Sequence, residues 1–334
     1  MAELLQRSNN THMNHKSPVA FVKVTPDEDG QRIDNYLISH LKTMPKSHLY
    51  RLIRKGEIRV NKKRVGPDYR LIGDDIIRLP PMKVVATPPV MKPSASLIAV
   101  LKDSILYEDD YIMIINKPSG VAVHAGSTFK IGVIEALKAA YSTLPHLELV
   151  HRLDTETSGC LMIAKKKRIL RELHTVLREG GMQKIYWTLT KGQWHTDECV
   201  VDMPLYKHYR DGGKHVVEVN HQLGKQALTV FTTLQHATLP HDISLMQATL
   251  MTGRTHQIRV HATSRRHPIA GDDRYGEAEF NKAMRTVGVE RLFLHAHSLE
   301  FKVPSLKKEV RVVAPLDPTL AQVVKTLMNH NVMK

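Results

Sequence analysis

Residues 149–166 read LVHRLDTETSGCLMIAKK, and the kind of fold follows from how this stretch is read. Cys160 to Ala164 is a short apolar run bounded by a polar turn, the pattern of a buried strand. The turn concentrates reactive groups: Arg152 and Asp154 flank the apolar Leu153, and Thr155, Glu156, Thr157, Ser158 and Gly159 lead into the strand. On the residues alone, Asp154 fits a turn-capping carboxylate backed by hydroxyls and a glycine better than it fits a catalytic one. Glu156 adds a second carboxylate, which leaves glycosidic hydrolysis open, although sequence spacing does not set the distance between two carboxyls.

Short apolar or alternating runs recur on both sides. Tyr111 to Ile115, Ile185 to Thr190, Val216 to Val219, Leu228 to Leu234, Ile243 to Leu250 and Leu292 to Leu299 read as further strands. RILRELHTVLREGG, residues 168–181, reads as a helix with Leu170, Leu173 and Leu177 on one face, ended by Gly180 and Gly181. Strands dominate without regular βαβ alternation, so residues 99–334 are expected to form an α+β domain on a mixed, mostly antiparallel sheet.

A second polar stretch, TGRTHQIRVHATSRRHPIAGDDRYG at 252–276, places Arg254, His256, Gln257, Arg259, His261, Arg265, Arg266 and His267 within fourteen positions. Histidines this dense raise the question of a metal. The stretch has no HExxH and no nearby cysteine, and His256 and His261 are five apart, so a site for phosphates and carboxylates fits better and no metal is expected. Ile258, Val260 and Ala262 suit either a strand or the start of a helix.

Upstream the character changes. Residues 31–83 hold 13 Lys or Arg against 5 Asp or Glu, so a surplus of +8 out of the chain's +15 falls in about a sixth of its 334 residues. Ile33, Leu37 and Leu41, then Leu49, Leu52 and Ile53, predict two helices around Pro45, with Ser47 as N-cap of the second and Gly56 as its stop. Lys46, Arg51, Arg54 and Lys55 on that helix and Arg59, Lys62, Lys63 and Arg64 in the hairpin-like IRVNKKRV would form one basic surface. Such a run is commonly a solvated face; its clustering in one small unit favours RNA instead. The proline-rich KVVATPPVMKPSASLIAV then reads as a linker over 83–98, and residues 1–19 as a flexible tail.

Composition excludes several classes. With 42% hydrophobic and 24% charged residues the chain is globular, and it has no apolar stretch of signal-peptide or membrane-spanning length. A cytoplasmic location and no membrane partner are therefore expected. Cys160 and Cys199, the two cysteines, provide neither a disulfide framework nor a CxxC pair.

Several ordered motifs resemble a known family. NKPSGVAVH (116–124), HRLDTETSG (151–159), KIYWTLTKG (184–192), TGRTHQIRVH with HPIAGDDRYG, and FLHAHSLEF (293–301) are similar to those of the RluA family of pseudouridine synthases, and residues 20–82 resemble the S4 RNA-binding domain. The resemblance runs from about residue 20 to the end. It implies isomerisation of uridines in 23S ribosomal RNA, as free RNA or an assembly intermediate, by a monomer without cofactor. It also implies Asp154 as the catalytic aspartate, Tyr186 as the tyrosine stacking on the target base and a candidate for proton removal, and Arg259, rather than Arg254, as the cation paired with Asp154. Leu294, Arg254 and His256 would line the pocket, and Arg152, also there, would fill the space left by a flipped nucleotide. Without the resemblance, Tyr186 and Leu294 read as core residues and the arginines as phosphate contacts. Cys160 and Met251 depart from the family pattern at positions without a role. Two rival readings remain: an RNA-binding assembly factor, and an RNA N-glycosidic hydrolase using Asp154 with Glu156.

Overall fold

The computed structural model describes residues 18–41, 44–82, 92–126, 129, 131–144, 146–209, 215–238 and 241–329. The expected tail as far as residue 17 and the expected linker over 83–91 lie outside these residues. The chain divides into two compact units, Met1–Met91 and Lys92–Lys334. Among the described residues no helix is long and apolar enough to cross a membrane.

The first unit contains β1 (Ala20–Lys23), α1 (Ile33–His40), α2 (Lys46–Arg54), β2 (Arg59–Val60) and β3 (Ile76–Leu79), its strands antiparallel in the order β1-β3-β2. The apolar spacing acts as the sequence implies: Ile33, Tyr36 and Leu37 from α1 and Leu49, Leu52 and Ile53 from α2 close over Ile58 and Ile77. The buried Asp34 joins the helices by accepting from Arg32 at 2.7 Å and from the Tyr50 hydroxyl at 2.9 Å. Ser47 is not the N-cap of α2. Pro45 occupies that place, its carbonyl accepting from the His48 and Leu49 amides at 3.0 and 3.1 Å, so the helix starts earlier and Ser47 lies within its first turn. Gly56 does end α2: at φ +69° its amide bonds Ile53 O at 2.9 Å while the Glu57 amide bonds Leu52 O at 3.0 Å, a Schellman closure. IRVNKKRV turns on Asn61 and Lys62, both left-handed, with Val60 and Lys63 exchanging backbone hydrogen bonds at 3.0 and 2.9 Å. Of the eight basic residues, Arg59 alone is half-buried, its Nε donating to Gly56 O at 2.9 Å; the other seven are exposed.

The second unit begins with α3 (Ala95–Asp103), capped by Ser94 Oγ, which accepts from the Leu97 amide. The segment read as linker to residue 98 is thus helical from Ala95. The order continues β4 (Ile105–Glu108), β5 (Ile112–Lys117), α4 (Val133–Ala140), β6 (Glu148–Leu149), β7 (Ser158–Ala164), α5 (Lys167–Arg178), β8 (Met182–Lys191) and β9 (Glu198–Asp202). Then come β10 (Leu205–Tyr209), β11 (His215–Val219), β12 (Leu228–Ala237), β13 (Ile243–Leu250), α6 (Gln257–Ser264), α7 (Ala278–Thr286), β14 (Leu294–Val303), β15 (Lys308–Val313) and α8 (Pro318–Asn329). Residues 257–264 therefore resolve as helix, and the last long strand starts at Leu294, two residues later than expected.

Among the described residues, ten strands form one sheet in the order β4-β5-β7-β14-β8-β13-β12-β9, with β15 also on β14 and β6 also on β7. Every pairing is antiparallel except β7 with β14. All seven residues of β7 are buried, as expected of a strand covered on both faces. Residues of α3, α4 and α5 share one core cluster with the strands from β5 to β14, while α7 and α8 share a second with Leu189, Ala237 and Ile243. The parallel pair sets the position of the site. His295 lies opposite Ser158 and Ala296 opposite Gly159, so the N-terminal ends of β7 and β14 are neighbours. Gly159 permits this approach: at φ +106°, a Cβ there would fall 2.3 Å from Ala296 O.

Candidate active site

Four elements deliver the expected residues to one place. Asp154 opens the turn before β7, the Thr157 amide donating to its carbonyl at 3.2 Å, and Leu294 opens the adjacent β14. Tyr186 on β8 lies opposite both Ala296 of β14 and Ala248 of β13. β13 then runs into the loop carrying Arg254 and His256, which enters α6 and brings Arg259 round behind Asp154. Asp154, Tyr186, Leu294, Arg152, Arg254 and His256 line a cavity of about 470 Å³, a size suited to a small organic group. Arg259 borders an adjoining cavity of about 1000 Å³, which shares Arg152, Asp154 and His256 with the first. The eight basic residues singled out for RNA contact belong to the first unit.

The Asp154 turn is anchored from beneath by the NKPSG segment. Lys117, fully buried, donates from Nζ to the carbonyls of Pro118, Val121 and Thr155 at 2.8, 2.9 and 3.0 Å. Ser119 Oγ donates to Glu156 O at 2.6 Å, and the Gly120 amide to Thr155 O at 2.9 Å. Burial pushes the Lys117 amine down to about 7, with Arg291 adding to the effect and Asp154 opposing it.

The charge arrangement is asymmetric. Arg259 grips Asp272 with two parallel bonds, Nε to Oδ2 at 2.8 Å and Nη2 to Oδ1 at 2.7 Å, and extends Nη1 to Asp154 Oδ2 at 3.3 Å. Burial opposes both charges of the inner pair, yet the two carboxylates raise the Arg259 guanidinium above its ordinary value. Arg259 and the Arg274 and Tyr275 amides hold the Asp272 carboxyl below the usual range. His256 Nε2 lies 3.7 Å from the same Asp154 Oδ2. Among the described residues, no hydrogen bond falls on Oδ1. Asp154 is the outer carboxylate of the three-group line, its side chain 23% exposed against 1% for Asp272. Burial, then the Asp154 charge, push the Tyr186 phenol well above its ordinary value, so the ring it presents to the cavity is neutral. Arg254 is exposed and donates from Nε to Gln226 O at 3.0 Å, so Arg259, not Arg254, reaches Asp154.

His256 adopts the left-handed conformation (φ 53°) just before α6, a geometry whose cost of order 1–3 kcal/mol is tolerated where neighbours hold it. The side chain of Gln257 does much of that holding: its Oε1 accepts from Thr252 Oγ1 and the Arg254 amide at 2.7 and 2.9 Å, and its Nε2 donates to Leu228 O at 3.0 Å. His261 turns elsewhere, to Thr229 Oγ1 and Met203 O, both at 2.9 Å, so the two histidines of the motif do not converge. Among the described residues no three His, Cys, Asp or Glu side chains converge as metal ligands do.

Sequence reasoning missed Asp272, Tyr275, Lys117 and Lys184. Asp272 and Tyr275 stand in the quoted HPIAGDDRYG, but nothing in their spacing distinguishes Asp272 from Asp273, which is exposed. Lys184 lines the cavity beside Tyr186, its amine pushed down by burial.

Burial pushes His151, His256 and His295 down to about 4 each. The unfolded chain, with histidines near 6.5, binds more protons than the folded one between about pH 4 and 6.5. Stability is therefore expected to fall as pH drops through that window, by up to about 1.4 kcal/mol per pH unit per histidine. Urea midpoints at pH 7, 6 and 5 measure this; a flat profile would mean that these rings are not buried neutral.

Comparison with known proteins agrees with this geometry. The family model for RNA pseudouridylate synthase matches residues 111–264, and that for the S4 domain matches residues 31–77. The chain is 46% identical over 328 residues to the ribosomal large subunit pseudouridine synthase C of Yersinia pestis, covering 96% of this chain and 100% of that protein. It is also 46% identical over 314 residues to the protein of the same name from Escherichia coli (strain K12), covering 93% and 97%. Among solved structures, human RNA pseudouridylate synthase domain containing 4 superposes with a TM-score of 0.57 at 26% identity over 70% of this chain and 95% of that one. Human RNA pseudouridylate synthase domain containing 1 shares the fold, with a TM-score of 0.55 at 24% identity over 71% and 97%.

Proposed function

The chain belongs to the RNA pseudouridylate synthase family and is a pseudouridine synthase with an N-terminal S4 domain; from that premise we propose that it converts specific uridines of 23S ribosomal RNA to pseudouridine, with Asp154 essential and no cofactor. The observation that carries the reading is the Asp154 carboxylate at the wall of a nucleotide-sized cavity, held by Arg259 on one oxygen, with Tyr186 and Leu294 as apolar lining. The names of the relatives support the large ribosomal subunit as the source of the RNA.

The chemistry asks little beyond these groups. The C1′–N1 bond breaks, a C1′–C5 bond forms, the C5 hydrogen leaves to water and N1 takes up a proton, so mass is unchanged and no electrons are exchanged with a redox partner. Asp154 acts on the bound nucleotide as nucleophile or base, through the Oδ1 that accepts no hydrogen bond from the described residues. Extruding the uridine costs a few kcal/mol of unstacking, offset by its ring packing on Tyr186 and by Arg152 filling the gap it leaves. Tyr186 serves as a stacking surface, because its environment keeps the phenol protonated. Arg254 and His256, also in the cavity lining, supply polar contacts to the nucleotide.

Residues 20–82 act as the RNA-docking unit and residues 99–334 as the catalytic one, working as a monomer in the cytoplasm on free RNA or an assembly intermediate. Nucleoside analysis of ribosomal RNA treated with the protein tests the function: pseudouridine appears as uridine declines, without uracil. Free uracil with abasic RNA would indicate a hydrolase, and unchanged nucleosides a binding protein. The docking assignment has its own test. Replacing Arg51, Lys62, Lys63 and Arg64 together by glutamine is expected to reduce the slope of log affinity against log salt by about 0.7–0.9 for each phosphate the variant no longer neutralises. An unchanged slope would remove this surface from the RNA interface.

A further inference from the structure

Tyr275 touches both groups that contact Asp154. Its hydroxyl lies 2.7 Å from His256 Nδ1, its ring meets the His256 ring edge-on at 5.4 Å, and the Arg259 guanidinium lies over its face at 5.1 Å. The residue is itself fixed at both ends. Its amide donates to Asp272 Oδ1 at 3.0 Å, its carbonyl accepts from Thr263 Oγ1 at 2.9 Å, and its phenol oxygen accepts from the Val217 amide of β11 at 3.3 Å.

These partners settle where the protons are. The Val217 amide can only donate, so it takes one lone pair of the phenol oxygen. On the other side of the imidazole the Asp154 carboxylate facing Nε2 can only accept, which leaves Nδ1 to take the phenol's own hydrogen. A neutral imidazole that accepts at Nδ1 must carry its hydrogen on Nε2. Burial, reinforced by Arg259 and Arg274 and opposed by Asp154 and Asp272, keeps the ring neutral at physiological pH. Nε2 is the nitrogen that faces Asp154 Oδ2 at 3.7 Å.

We propose that Tyr275 is a positioning residue: its hydroxyl locks neutral His256 in the Nε2–H tautomer, so that an N–H and not a lone pair faces the reactive carboxylate. This rests on the reading of Asp154 as the reactive group. In the other tautomer the Nε2 lone pair would repel the Asp154 carboxylate and displace it from the cavity wall. As a neutral donor, His256 orients that oxygen without adding a second cation beside Arg259, so the carboxylate keeps its reactivity. The contact through Val217 also links this arrangement to the β10–β11 ribbon.

The test uses full-length protein labelled with 15N-histidine. The long-range proton–nitrogen spectrum at pH 7.5, with the His256 signals identified by their loss in His256→Gln, is expected to show Nε2 protonated and Nδ1 as a bare, pyridine-type nitrogen. Tyr275→Phe keeps the ring against Arg259 and removes only the hydroxyl. It is expected to populate the Nδ1–H tautomer and to lower kcat by at least about tenfold at unchanged KM, short of the ~10⁴ that a wrong tautomer costs where the histidine is itself the base. An Nδ1–H or imidazolium signal in the wild type, an unshifted tautomer in Tyr275→Phe, or a shifted tautomer with unchanged kcat would each overturn the proposal. Absence of pseudouridine formation by the wild type would overturn the functional reading instead, and the spectrum would still decide the tautomer.

Discussion

Replacing Asp272 by alanine is expected to lower the free energy of unfolding by about 3–5 kcal/mol, a large share of what a domain of this kind possesses. The side chains of Arg259 and Asp272 are 6% and 1% exposed, and their two parallel hydrogen bonds are what make burial of the guanidinium tolerable. Without Asp272 the cation keeps the 3.3 Å contact to Asp154 and the face of Tyr275 but no bidentate partner, and the Arg274 and Tyr275 amides lose their acceptor. Activity falls with stability, because the guanidinium would shift from its place behind Asp154. Asp272→Asn retains the shape and one acceptor oxygen, so its loss is expected to be smaller. Urea unfolding of the three proteins at one pH measures the series. A loss below about 1 kcal/mol for Asp272→Ala would mean that the pair does not organise the site.

Asp154→Asn is expected to have the opposite signature. The side chain is partly exposed and lies at the outer end of the charge line, so the Arg259 and Asp272 bonds remain and stability changes little. RNA affinity is also expected to persist, since phosphate contacts come from the basic residues and not from a carboxylate. The chemical step, by contrast, loses the group placed to act on the nucleotide, and removal of a nucleophile of this kind typically costs on the order of 10⁴-fold or more. A single-turnover rate within tenfold of wild type would contradict that role.

Much of the fold is legible in the residues alone, and the reasons are physical. β7 is visible because a strand buried on both faces must be apolar throughout, and α2 because Leu49, Leu52 and Ile53 recur at helical spacing. The cap of α2 departs from the expectation because proline competes with serine for the same place and its fixed φ suits the start. The strand-or-helix ambiguity at Ile258, Val260 and Ala262 has a similar origin: α6 is buried on most sides, so its pattern lacks a polar face. The six expected residues that line the cavity all stand in the quoted motifs, but their convergence depends on the β7–β14 parallel pair, which joins positions 137 residues apart. Asp272 and Tyr275 stay hidden in the sequence because their roles lie in contacts to Arg259 and His256. No local pattern marks an aspartate whose task is to orient another residue's arginine.

The central claim is that the Asp154 carboxylate rearranges uridine in RNA, and release of tritium from ribosomal RNA labelled at uridine C5 tests it most directly. The wild type is expected to release the label to water without free base, and Asp154→Asn to bind the same RNA and release none. Tritium release by Asp154→Asn at a rate near that of the wild type would contradict the account.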